Sequence, residues 1–98
     1  MTQITIRGET FRVRRVPDLN LELARRGLPD RHRLLGIVLP GPPPEILIQR
    51  GEPREEASTL LHELLHAADS ILGEGRVSDL EEILAPVLWR QGWRPFRG

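Results

Sequence analysis

Two histidines four residues apart, with a glutamate directly after the first, are the residues of this sequence best suited to chemistry. They lie in the run His62-Glu63-Leu64-Leu65-His66, which has the spacing HExxH. On a helix, residues four apart lie one turn above each other on one face, so both imidazoles can reach a single metal ion. Glu63 lies beside that face, where its carboxylate can act as general base on a water whose pKa the metal lowers to about 7. The spacing predicts a metal centre for hydrolysis, with His62 and His66 as ligands and Glu63 as the catalytic base.

The cysteine count limits what this metal centre can be. The chain has no cysteine and three histidines, which excludes disulfides, iron–sulfur clusters and thiolate zinc sites and leaves imidazoles and carboxylates as ligands. A catalytic zinc generally has three protein ligands and one open position. We therefore predict Zn²⁺ as the cofactor and a carboxylate as the ligand that completes the site.

Asp69 is the nearest carboxylate on the histidine face of the predicted helix. It follows His62 by seven residues, roughly 10.5 Å along a helix axis, which is too far for one ion to bind both. Two interpretations stay open. Asp69 either orients His66 from the second coordination shell through a hydrogen bond, or it is an ordinary exposed side chain.

The third ligand is expected from the helix that follows. If that helix runs back against the first after a turn near residue 75, positions near 86 lie level with the histidines, and Glu81 and Glu82 are the candidate carboxylates. At 100° per residue, Glu81 flanks the apolar stripe of that helix and Glu82 lies on another side. This favours Glu81 as the third ligand, with Glu82 as a close alternative. Glu81 also fits a capping box with Ser78, which would give it a structural role instead.

Hydrophobic periodicity predicts the two helices that position these residues. The helical spacing of apolar residues predicts a helix over about residues 54–72, which contains the HExxH run. The run Ser78-Asp79-Leu80-Glu81 has the form of a capping box and predicts the start of a second helix.

Alternating apolar residues predict the strands. They indicate a β-hairpin at residues 3–16 and two strands, at residues 34–39 and 45–49, on either side of a proline-rich turn. Asp18 is a suitable cap for a short helix, although the leucines after it also alternate as in a strand. We predict an α+β fold, in which a small antiparallel β-sheet packs on the HExxH helix and the C-terminal helix that follows it.

Length and charge narrow the class of protein. At 98 residues, the chain has room for a single domain over residues 1–98. No apolar run approaches the roughly 18 residues of a membrane span and the N-terminus does not resemble a signal peptide, so we expect a cytoplasmic protein with no membrane partner. The 14 basic and 14 acidic residues balance, which argues against nucleic acid as a partner. Nucleic-acid binding remains a minor alternative because the C-terminus has the right residue types, Trp89, Arg90, Trp93, Arg94 and Arg97.

The stretch from Thr59 to Asp69, preceded by Glu45-Ile46-Leu47-Ile48, resembles the small zincin-like metallopeptidases related to the ImmA/IrrE group, many of which are encoded by phages. The resemblance covers about residues 34–90. It implies that a strand leads into the HExxH helix and that a glutamate on the next helix completes the zinc site. Some relatives have that glutamate three residues before a small residue.

In this chain that pattern points to Glu82, which precedes Ala85 by three residues, whereas the helical geometry favours Glu81. The resemblance also implies that residues 45–49 form an edge strand beside the cleft, where Ile46 and Ile48 would line a peptide or protein substrate. The chain has no tyrosine to stabilise an oxyanion, so this role would fall to His32 or an arginine.

Two functions follow from these features. The first is a zinc metallopeptidase of the HExxH type, a hydrolase. The second is a non-catalytic regulatory or interaction module that a zinc ion stabilises, since metal-binding free energy becomes folding free energy. Glu63 favours the hydrolase because a purely structural zinc needs no base.

Overall fold

A computed structural model describes residues 2–28 and 34–96 of the chain. Within these residues four strands and three helices follow one another in the order β1 (Thr2–Ile6), β2 (Glu9–Val16), α1 (Leu19–Arg25), β3 (Gly36–Leu39), β4 (Glu45–Gln49), α2 (Pro53–Ala68) and α3 (Glu74–Arg90). Internal contacts divide the chain into two units, Met1–Arg50 and Gly51–Gly98. The first unit contains the sheet and α1, and the second contains α2 and α3. The predicted α+β class is confirmed, and a single domain over residues 1–98 stays a prediction.

β1 and β2 form the predicted hairpin. Arg7 and Gly8 connect the two strands with φ angles of 51° and 81°. Consecutive positive φ angles are typical of the tight turns whose twist matches that of a β-hairpin, and glycine adopts them without a steric penalty. The turn sets the antiparallel register, in which Ile4 lies opposite Phe11.

The sheet is mixed and its strand order is β1-β2-β4-β3. β2 and β4 are parallel, whereas β3 and β4 are antiparallel. The prediction of an antiparallel sheet is therefore wrong for one of its three pairings. The reason is the connection from β2 to β4, which passes through α1 and β3, so that β4 runs in the direction of β2.

Asp18 begins α1, as one of the two interpretations of this segment predicted. Its carboxylate accepts a hydrogen bond from the backbone N–H of Leu21, with Oδ1 and the nitrogen 3.1 Å apart. This contact satisfies one of the free N–H groups of the first turn. Leu19 and Leu23 of α1 then pack with Val16 and Leu47 in the core of the first unit.

β4 lies between β2 and β3, so it has no free edge. Ile46, Leu47 and Ile48 have no accessible surface. A strand with hydrogen-bonded neighbours on both sides cannot add an extended peptide. The expectation that Ile46 and Ile48 lie on an edge strand open to substrate is wrong; the edges of this sheet are β1 and β3.

α2 and α3 form a helical hairpin whose helix ends differ from those predicted. α2 ends at Ala68 rather than at residue 72, because Asp69 is extended, with φ −146° and ψ 96°. α3 begins at Glu74 after Gly73, which is also extended. Ser78 consequently lies inside α3, and the predicted capping box is wrong. None of the helices in the described part of the chain is long and apolar enough to cross a membrane.

Candidate metal centre

His62 and His66 lie on the face of α2 that meets α3. Their ring centroids are 4.9 Å apart and the ring planes meet at 62°. The side chains are 16% and 26% exposed, so both rings are held by the surrounding helices while an edge stays accessible. This is the arrangement that the four-residue spacing on a helix predicts.

Glu74 joins the two imidazoles. Its Oε1 lies 2.7 Å from Nε2 of His62 and its Oε2 lies 2.7 Å from Nε2 of His66. One ligand atom from each of the three residues lies within 4.8 Å of the other two. The Glu74 side chain is 71% exposed, so the cluster opens to solvent on this side. Sequence reasoning missed Glu74 because the Gly73-Glu74-Gly75 run indicated the end of a helix.

The three side chains fit a zinc ion by their chemistry. Two imidazole nitrogens and one carboxylate oxygen are the donor set of one kind of catalytic zinc site. Ligand atoms that surround a tetrahedral zinc at its usual bond lengths are about 3.3 Å apart. Here each nitrogen lies 2.7 Å from a Glu74 oxygen, and all three ligand atoms lie within 4.8 Å of one another, so the side chains would have to move to hold an ion. In both histidines the nitrogen that contacts the Glu74 carboxylate is Nε2.

Glu81, the predicted third ligand, contacts the opposite edge of the His62 ring. Its Oε1 lies 2.7 Å from Nδ1 of His62, and its Oε2 accepts a hydrogen bond from the hydroxyl of Ser58. The structure thus brings Glu81 to the cluster, but to the nitrogen that faces away from Glu74. Glu82, the close alternative, is exposed and has no hydrogen bond or ion pair among the described residues.

Glu82 lies instead in a groove between α2 and α3 with a volume of about 250 Å³. The groove is bounded by side chains of both helices, Arg54, Ala57, Ser58, Glu81, Glu82, Ala85, Pro86 and Trp89. Glu81 thus lines this groove and also contacts the His62 ring.

Asp69 has a contact other than the one considered for it. It ends α2, and its carboxylate accepts a hydrogen bond from the backbone N–H of Ile71, with Oδ1 and the nitrogen 3.0 Å apart. Within residues 2–28 and 34–96 it makes no hydrogen bond with His66. His32 and Arg97 lie outside the described residues.

Glu63 is a buried carboxyl group beside the histidines, with 7% of its surface exposed. Burial raises its pKa because it disfavours the charged form, while the nearby rings of His62 and His66 act in the opposite direction without outweighing burial. In the described part of the chain its carboxylate has no hydrogen-bond partner. It is therefore a poorly solvated base whose oxygens are not committed to another group.

The pKa values of His62 and Glu74 are also shifted, and their directions show how charge is arranged in the cluster. Burial would lower the pKa of His62, but the hydrogen bond with Glu81 and the charges of Glu63 and Glu74 outweigh it and raise that pKa. Burial would raise the pKa of Glu74, but its hydrogen bond with His66 and the charge of His62 lower it. Both shifts favour the charged forms, so the carboxylates stabilise positive charge at this point.

Arg94 contacts Trp89 and Trp93 at the end of α3. The guanidinium carbon of Arg94 lies 3.4 Å from the ring centroid of Trp89. The same side chain donates hydrogen bonds to the carbonyl oxygens of Trp89 and Trp93, at 2.8 and 3.0 Å. Arg94 and one face of Trp89 are thus occupied by each other, which weakens the case for nucleic-acid binding at this surface.

Comparison of the chain with protein-family models, curated proteins and solved structures found no match. The resemblance to the ImmA/IrrE group stays a prediction, and the case for a function rests on the residues of the cluster.

Proposed function

We propose that this protein is a zinc-dependent hydrolase that acts on peptides, with its metal held by His62, His66 and Glu74. One observation carries the proposal: the Nε2 atoms of His62 and His66 each lie 2.7 Å from an oxygen of the Glu74 carboxylate, beside the buried carboxyl group of Glu63. We propose peptides as the substrate class because the HExxH spacing on a helix is the signature of metalloproteases. Zinc, when bound there, lowers the pKa of a coordinated water to about 7 and polarises a substrate carbonyl.

Glu63 is the residue that moves the proton in this proposal. Its carboxylate accepts a proton from the attacking water and passes it to the amine nitrogen as the peptide C–N bond breaks. Its raised pKa supports this role, because a general base and acid works best with a pKa close to the working pH. Its lack of a hydrogen-bond partner among the described residues leaves both oxygens available.

Exposure of the cluster supports catalysis rather than a purely structural metal. Structural zinc sites use four protein ligands, whereas a catalytic site keeps one position open. Three ligand residues converge here, and the Glu74 side chain is 71% exposed. Water therefore has a route to an ion at this position.

The proposal is tested with the full chain in metal-free and zinc-loaded form. We expect one zinc per chain by elemental analysis, and zinc-dependent cleavage of a peptide library, followed by mass spectrometry. The control is the double variant His62→Ala/His66→Ala, which should retain neither zinc nor cleavage. Wild-type protein that binds no zinc, and whose melting temperature is unchanged by zinc or chelator, would contradict the metal centre itself.

A further inference from the structure

We infer that Glu81 is a positioning residue for His62: Ser58 holds the carboxylate of Glu81, and the carboxylate fixes which nitrogen of the ring is free to bind the metal. The inference rests on the proposed zinc site. It concerns a different set of contacts from the ligand cluster, those on the far edge of the His62 ring.

The two nitrogens of His62 have different partners. A neutral imidazole donates from one nitrogen and accepts at the other, so the partner of one nitrogen decides the role of the other. Glu81 Oε1 lies 2.7 Å from Nδ1, where an ionised carboxylate can only accept. Nδ1 therefore donates to Glu81, and without a metal Nε2 faces a carboxylate as well, Glu74 Oε1 at 2.7 Å. Ser58 holds Glu81 in place, whereas the Glu74 side chain is 71% exposed. Nδ1–H is thus the contact that would persist on metal binding, and it would leave the lone pair of Nε2 for the ion.

The fold explains why one helix supplies a carboxylate to each edge of the ring. Glu74 and Glu81 are seven residues apart on α3, which is close to two full turns, so they lie on the same face. The ring of His62 lies between their levels, with Nε2 toward Glu74 and Nδ1 toward Glu81.

Ser58 restrains Glu81 from the opposite helix. Ser58 precedes His62 by four residues and lies on the same face of α2. Its hydroxyl donates to Glu81 Oε2 while His62 donates to Oε1, so α2 fixes both oxygens of one carboxylate. A carboxylate held at two points loses less freedom when the metal binds.

Among the described residues, His66 has no equivalent support. Its Nε2 contacts Glu74, and its Nδ1 has no hydrogen-bond partner within residues 2–28 and 34–96. Loss of the Glu81 contact should therefore change the orientation of a single ligand, His62, and leave the other two ligands in place. The expected result is weakened metal binding with an unchanged set of ligands.

The experiment compares Glu81→Ala, Glu81→Gln and Ser58→Ala with Asp79→Asn, an exposed carboxylate on the same helix. Zinc affinity is measured by competition with a chelator, and Co²⁺-loaded protein gives a visible absorption spectrum that reports ligand number and geometry. We expect Glu81→Ala to weaken zinc binding roughly 10- to 100-fold, the usual cost of losing such a partner. Glu81→Gln keeps an oxygen for Nδ1–H and should restore most of the affinity, Ser58→Ala should have a smaller effect, and Asp79→Asn should have none.

The cobalt spectrum separates a positioning residue from a ligand. If the inference holds, the spectrum of Glu81→Gln keeps the intensity of the wild type. A changed coordination spectrum, with a loss of affinity that Gln does not restore, would show that Glu81 is itself a ligand and overturn the inference. Equal zinc affinity of Glu81→Ala and wild type would also overturn it. Either result leaves the zinc site standing, whereas a wild type that binds no metal removes both proposals; circular dichroism of each metal-free variant checks that it is folded.

Discussion

Glu74 Oε2 lies 2.7 Å from Nε2 of His66, across the turn that joins α2 to α3. The two residues are eight positions apart in the chain. The contact exists because α2 ends at Ala68 and α3 begins at Glu74, so the first carboxylate of the second helix lies beside the last histidine of the first. The length of this turn therefore selects the third member of the cluster.

Replacing Glu74 should damage the metal centre more than replacing any other acidic residue of α3. Glu74→Ala removes the oxygens that lie 2.7 Å from both Nε2 atoms. We expect zinc affinity to fall by more than the roughly 10- to 100-fold typical of a residue that only supports a ligand. Glu82→Ala should bind zinc like the wild type, because Glu82 has no contact with the histidines among the described residues. Chelator competition measures both, and wild-type affinity of Glu74→Ala would exclude it as the third ligand.

The sequence was sufficient for the elements with clear periodicity. The hairpin follows from alternation around the Arg7-Gly8 turn, and β4 has the predicted bounds, Glu45–Gln49, because its apolar run ends in polar residues. Strand neighbours were not predictable in the same way. Ile46 and Ile48 belong to a strand buried on both sides, and periodicity cannot distinguish such a strand from an edge strand.

Sequence analysis did not place Glu74 in the cluster because the comparison of levels depended on the position of the turn. A turn near residue 75 makes positions near 86 level with the histidines, whereas the observed helix ends place the centre of the turn near residue 71. In a helical hairpin, residues equally far from the centre of the turn lie at the same level. With the centre at residue 71, His62 is level with position 80, next to Glu81, and Glu74 lies close to the end of α2. An error of about four residues in the centre of the turn thus moves the level of the partner position by about eight residues, roughly two helical turns.

Leu47→Ala should destabilise the first unit strongly. Leu47 has no accessible surface and packs with Val16, Leu19 and Leu23. Truncation of a leucine in such a core costs about 2–5 kcal/mol of unfolding free energy, from lost burial and the cavity left behind. Ile83→Ala is the matched control, because Ile83 is 64% exposed and its loss should change stability by less than about 0.5 kcal/mol. Urea denaturation measures both, and equal midpoints would contradict the buried position of Leu47.

The ion pair between Arg26 and Glu45 predicts a dependence of stability on pH. Arg26 Nη1 lies 2.9 Å from Glu45 Oε1, and this hydrogen bond lowers the pKa of Glu45 below its ordinary value of 4.5, against the opposing effect of burial. Because the pKa of Glu45 is lower in the folded protein than in the unfolded chain, its charged carboxylate stabilises the fold fully at pH values above the unfolded-state pKa. This stabilisation is lost as the pH falls through the lowered, folded-state pKa. Because both side chains are partly exposed, the effect should not exceed about 1 kcal/mol.

Glu45→Gln is the variant that isolates this effect. The free energy of unfolding of the wild type should exceed that of Glu45→Gln at pH 7, and the difference should shrink as pH falls below about 4. High salt should reduce the difference at pH 7. A difference that stays constant from pH 7 to pH 3 would show that the Glu45 charge does not stabilise the fold.

Glu63→Gln separates the hydrolase from a module that zinc only stabilises. The substitution keeps the size of the side chain and removes its basic carboxylate, and Glu63 is not a member of the ligand cluster. Zinc content and melting temperature should therefore persist, whereas peptide cleavage should fall by about 10²- to 10⁴-fold, the usual contribution of general acid and base catalysis. The two proteins are compared on the same peptide library with equal zinc content. If the zinc-loaded wild type cleaves nothing above the Glu63→Gln background, the zinc-stabilised regulatory or interaction module becomes the better explanation of the cluster. Equal cleavage by both proteins would instead show that hydrolysis occurs without the base assigned to it.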